Sequence, residues 1–232
     1  MSNFKILQLV MNTINELCST PESRRDYEWE KKFLDAFVQS KVELVKEDPV
    51  QGPDGWPYIF VKTLDVKSPG EPVLKLLDWL KDKGIGLVVN PHKELPDYIF
   101  NYGMIWNFAE RKLLVQDQPQ QLDEPDKVEF KEGESIFFGC PSKEYLPSYV
   151  VRVLLEFFDQ QEVENPRVAI IGKDNKNYDL CFSLESLGNP PEQEHEGILE
   201  ALSWFLPTHY SLMLISEEAV AEFYLLSSLL DA

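Results

Sequence analysis

Gly84-Ile85-Gly86-Leu87-Val88-Val89-Asn90-Pro91 is the stretch whose reading decides the fold. Two glycines end a helix, an apolar triplet with no polar face follows, and Asn-Pro stops it. A strand without a polar side belongs inside a sheet covered on both faces. The preceding residues supply the helix. Val73, Leu76, Leu77 and Leu80 repeat at helical spacing behind Ser68-Pro69-Gly70-Glu71, which reads as a Ser cap with Pro at the first helical position. Lys81 and Lys83 suit the negative end of its dipole, and Gly84 suits a left-handed stop.

Working outward toward the N-terminus, residues 3–18 carry a first amphipathic stripe. Ser23-Arg24-Arg25-Asp26 resembles a capping box ahead of Trp29, Phe33, Ala36 and Phe37. Val42 to Val45 and Trp56 to Thr63 flank the turn-rich segment 48–55 and predict a β-hairpin. After Pro91, a short helix at 96–102 and a strand at 104–108 are expected. The polar run from Gln116 to Lys127, with two prolines and no apolar stripe, reads as a linker between a domain at 1–115 and one at 128–232.

Past the linker, strands are expected at Ser135–Gly139, Val168–Ile171, Tyr178–Glu185 and Ser211–Ile215. Helical stripes run from Leu146 to Phe158 and from Ile198 to Phe205, and a last helix is expected from Glu217. The order is β-α-β-β-α-β, the split, ferredoxin-like plan, with both helices on one face of a four-stranded antiparallel sheet. The fold class is therefore α+β, in two small α/β-sandwich domains.

Charge restricts the partners. The formal net charge is −18, and it is uneven: 16 Lys and Arg face 21 Asp and Glu up to residue 127, against 6 and 19 beyond it. A field of that sign repels phosphate backbones and anionic headgroups, so neither nucleic acid nor a membrane surface is expected as a partner. No apolar run approaches the roughly 18 residues of a spanning helix, and Met1-Ser2-Asn3-Phe4-Lys5 has no secretory pattern, so a cytoplasmic location is expected. Cys18, Cys140 and Cys181 lie far apart among apolar neighbours and read as buried free thiols.

Signatures of chemistry are sparse. Gly84-Ile85-Gly86 precedes a strand rather than a helix, so it builds no amide-lined phosphate site. No phosphate-binding loop or nucleophile elbow occurs. His92, His195 and His209 have no ligand-spaced partners. Glu194-His195-Glu196 reads as a helix start, and Asp174-Asn175-Lys176-Asn177 as a hairpin turn without the glycine and glutamate of a calcium loop. No catalytic residue, metal or cofactor is expected. The candidate binding cluster is Trp56, His92, Tyr102 and Trp106 around Asn90-Pro91, because Trp and Tyr are favoured at binding hot spots and strand-end loops carry sites. Core packing is the competing account of those aromatics. The Asn90 side chain is expected to cap the turn that follows it.

Three stretches resemble the SseB-like family, named for an enhanced-serine-sensitivity phenotype. They are Gly86-Leu87-Val88-Val89-Asn90-Pro91, Glu132 to Pro141 (EGESIFFGCP), and the run from Leu146 through Leu206-Pro207 to the C-terminus. Phe60 to Asp65 departs from the family's pattern. The resemblance implies a two-domain cytosolic α+β protein without an assigned catalytic set. Two functions follow: a non-catalytic interaction or regulatory protein with a protein partner, a basic one being favoured by the charge; or an amino-acid-related small-molecule binder or enzyme with an interdomain cleft. A homodimer is compatible with either.

Overall fold

In the computed structural model the chain divides into two compact units, residues 1–114 and 115–232. The structure describes residues 14–64, 68–115, 136–172, 178–219 and 222–230. The expected linker, residues 116–127, and the turn at 174–177 lie outside them.

The first unit is a six-stranded mixed sheet with helices. Its strands are β1 (Lys41–Leu44), β2 (Val50–Gln51), β3 (Pro57–Thr63), β4 (Glu71–Pro72), β5 (Gly86–Val89) and β6 (Tyr98–Phe100), ordered β4-β1-β3-β5-β6 with β2 also on β3. Gly86 to Val89 is buried at every position, as a strand lacking a polar face must be. It runs parallel to β3 and antiparallel to β6. Gly86 is required for close approach: a Cβ there would lie 2.5 Å from the Tyr58 ring and 2.8 Å from the Phe100 carbonyl oxygen. Gly84 has φ +65°, the left-handed stop expected of it.

Residues 14–18 are helical and form the described end of the first helix expected at 3–18, whose residues 3–13 lie outside the described ones. The further helices are α1 (Tyr27–Val38), α2 (Val73–Leu80) and α3 (Tyr102–Arg111). All four residues of each expected stripe in α1 and α2 are buried. Helix α1 packs on β6 through stacked rings, Phe33 on Tyr98 at 5.2 Å and Phe37 on Phe100 at 5.1 Å.

Three expectations here are corrected. The cap of α1 is Asp26, whose carboxylate accepts from Trp29 N, and not Ser23. Glu71–Pro72 is strand rather than the first turn of α2, because β1 occupies its backbone. The helix expected at 96–102 and the strand at 104–108 are reversed: Tyr98–Phe100 is β6, and α3 starts at Tyr102 under an Asn101 side-chain cap on Met104 N. The free edge of β5 recruits the first segment, overriding its weak helical pattern.

The second unit contains β7 (Phe137–Gly139), α4 (Ser148–Gln160), β8 (Arg167–Gly172), β9 (Asp179–Ser183), α5 (His195–Trp204), β10 (Ser211–Ile215) and β11 (Tyr224–Leu225). Up to β10 this is the βαββαβ order read from the sequence, so the chain is α+β in both units. The sheet is not the expected four-stranded antiparallel one. It has five strands, ordered β10-β9-β8 with β7 and β11 sharing the far side of β8, and β9 and β10 are parallel neighbours. The helix expected from Glu217 is replaced by a 3-10 turn (Glu217–Ala219), by β11 and by a 3-10 helix (Leu226–Leu230). Pairing with Arg167 and Val168 on β8 holds Tyr224 and Leu225 extended.

Candidate functional site

The six residues singled out from the sequence do not form one site. Tyr58 pairs with Gly86 and Val61 with Val89. Trp56, ahead of β3, and Asn90, beyond β5, therefore leave opposite ends of that parallel pair, roughly 20 Å apart along the strands. Tyr102 and Trp106 are buried core residues of α3, 0% and 1% exposed, and the Tyr102 hydroxyl donates to the Lys81 carbonyl at 2.6 Å. Trp56 and Pro91 are half-buried, and His92 is exposed. Only Asn90, Pro91 and His92 remain together, at one strand end.

Asn90 belongs to a buried polar knot that the sequence reading missed. Its backbone takes φ +56°, uncommon for a residue with a Cβ. Its Oδ1 accepts from Thr63 N at 2.9 Å, so the side chain closes the end of β3 instead of capping the turn after it. Its Nδ2 donates to Asp97 Oδ2 at 2.6 Å. The Asp97 side chain is 0% exposed and also receives Arg25 Nη2 at 2.7 Å and Lys93 Nζ at 2.5 Å. Arg25 further donates to the carbonyls of Asp97 and Thr20, and Lys93 to that of Cys18. Burial alone would raise the Asp97 carboxyl, but the donors from Lys93, Asn90 and Arg25 outweigh it and hold the group below its usual range. The Cys18 thiol, within 3.6 Å of Asn90 Nδ2, is pushed up to about 11 by burial and by Asp97. A thiol of that acidity is no nucleophile at neutral pH. The knot ties the segment 18–25 to the loop after β5 and is structural. One available signal was the pair Lys93 and Asp97 following Asn90; Arg25 and Cys18 are more than 60 residues away in sequence.

The second unit presents the better candidate surface. Register places Phe138 beside Ile171, Ala169 beside Cys181, Cys181 beside Met213, Ser183 beside Ile215, and Leu225 beside Arg167, all on one face of the sheet. Ile171 and Cys181 are buried at its centre, with Ile136, Met213, Ile215 and Phe223 half-buried against them. Phe138 and Leu225 are 42% and 40% exposed. Cys140, next to this patch, is exposed and not buried as expected, because it leaves the short strand β7.

At one end of that face the strands β9 and β10 finish in a polar cluster. The Ser216 hydroxyl donates to Glu185 Oε1 at 2.5 Å, and Glu217 N to Glu185 Oε2 at 2.8 Å. Ser183 donates to Glu217 Oε1 at 2.6 Å, and Arg167 Nη1 to Glu217 Oε2 at 2.7 Å. The Ser216 hydroxyl first, then the Glu217 amide, hold the Glu185 carboxyl below its usual range, so at neutral pH it accepts and does not donate. An open hollow of about 350 Å³ lies here, lined by Glu164, Asn165, Arg167, Glu185, Ser186 and Glu217. Carboxyl ends of parallel strands are where α/β sheets commonly take ligands. Nothing in the sequence marked Ser183, Glu185 and Glu217 as a group, since only the parallel pairing of β9 and β10 joins them.

Among the described residues no three His, Cys, Asp or Glu side chains converge as metal ligands would, and no helix is long and apolar enough to cross a membrane. Set against known proteins, the chain matches no family model, no curated protein and no solved structure.

Proposed function

We propose that this chain is a non-catalytic cytosolic interaction protein of the SseB-like type, which takes a protein partner on the sheet face of its second unit. The observation that carries the reading is the exposure of Phe138 and Leu225 on the face that ends in Glu185 and Glu217. Exposed apolar side chains set beside polar and charged groups are a feature of protein interfaces. The carboxylates favour a partner with a basic rim, steered in by the acidic C-terminal half. The three SseB-like stretches agree with a cytosolic, non-catalytic role.

The test is tandem affinity purification from the native host, run beside a Phe138→Glu, Leu225→Glu double variant. Both side chains already reach solvent, so the fold is spared. Recovery of a stoichiometric partner by the wild type and its loss with the variant supports the reading. No stoichiometric partner, or equal recovery by both, sinks it.

A small-molecule reading has one observation of its own. The hollow offers a guanidinium and carboxylates, the groups that would meet the two charges of an amino acid. A thermal-shift screen of amino acids separates the two, since a ligand at 100 times its dissociation constant stabilises by about 2.7 kcal/mol.

A further inference from the structure

Strand edges are commonly guarded by charge, by proline or by brevity, because unpaired amides invite another strand. Among the described residues, three of the four sheet edges follow that rule. Strand β4 is Glu71–Pro72, β6 spans three residues, and the far side of β8 is divided between the short strands β7 and β11. Strand β10 does not. It is five residues long, Ser-Leu-Met-Leu-Ile, half-buried from Leu212 to Ile215, and it pairs with β9 on one side and with no described strand on the other. Around it, residues 201–216 contain no Asp, Glu, Lys or Arg, in a chain that is 27% charged.

The direction of the free amides follows from one bond. Leu184 N donates to Ile215 O, so residues 215, 213 and 211 point their amides at β9. Those of Leu212 and Leu214 point outward, because successive residues alternate. We infer that β10 pairs antiparallel with β10 of a second copy of this chain, about a two-fold axis at Met213. In that register Leu212 of each copy lies opposite Leu214 of the other and exchanges both hydrogen bonds, and Met213 meets its own image in a non-hydrogen-bonded pair. Such an interface is self-complementary, as a two-fold requires. A five-residue edge buries well below the roughly 1,200 Å² of a standard interface, so the dimer is weak and reversible.

The proposal is independent of the partner reading, and salt distinguishes them. Two chains of formal charge −18 repel each other, so added salt strengthens the self-pairing, while it weakens capture of a basic partner. Sedimentation velocity of the full chain over a hundredfold concentration range, at low and high salt, is expected to show a dimer that grows with both. A monomer at every concentration overturns the proposal.

Register is tested by cysteine pairing in a Cys140→Ser background. Cα atoms of a non-hydrogen-bonded antiparallel pair lie about 4.5 Å apart, within disulfide range. Met213→Cys is therefore expected to form a disulfide dimer under mild oxidation, and Leu214→Cys, which does not face itself, is not. The reverse result overturns the register, and if either variant fails to fold, sedimentation of the unmodified chain decides.

Discussion

Asp97 is the centre of the polar knot in the first unit. Its carboxylate takes Arg25, Lys93 and Asn90 with no exposed surface of its own. Removing one partner of a buried charge network strands the others, so Asp97→Ala is expected to destabilise by about 3 kcal/mol, measured by chemical denaturation. Because the folded-state value lies below the unfolded one, the stability from Asp97 is complete above the ordinary carboxylate pKa. It is lost as the pH falls through the folded value, and the wild type should lose more stability than Asp97→Ala between neutral and acid pH. Gly86 supports a second test. Gly86→Ala drives a methyl into the Tyr58 ring and the Phe100 carbonyl, with an expected loss of about 2 kcal/mol by thermal or chemical denaturation.

At the scale of elements, the helices with clean apolar stripes were legible and their capped ends less so. Asp26 and Ser23 both suit a helix start, but only the Asp26 carboxylate reaches an amide of α1. Asp26→Ala is expected to lower stability by about 1 kcal/mol, and Ser23→Ala to stay within about 0.5 kcal/mol, in the same denaturation assay. The exchange of strand and helix between 96 and 111 has a plain cause. Tyr98-Ile99-Phe100 has no period long enough to identify it, and its conformation is set by Val89, Val88 and Leu87 on the neighbouring strand. The last segment went the same way, since two residues of β11 are strand only because β8 offers them an edge.

At the scale of the whole molecule, charge makes its own prediction. Binding of a basic partner should weaken as salt is raised from 50 to about 500 mM, checked by titration at several salt concentrations, with Glu217→Gln and Glu218→Gln flattening the dependence. Four of the five tryptophans, Trp29, Trp56, Trp79 and Trp106, belong to the first unit, so intrinsic fluorescence reports mainly on that unit and should follow the Asp97→Ala variant.

Periodicity and turn chemistry alone determined the α+β class, the βαββαβ order of the second half and the buried strand at Gly86–Val89, because each is encoded within a few neighbouring residues. Strand order, the knot around Asp97 and the meeting of Ser183, Glu185 and Glu217 were decided only by the tertiary structure. Each joins groups distant in the chain, or selects one pairing among strands of similar apolar character, and no local pattern records which neighbour a strand will find.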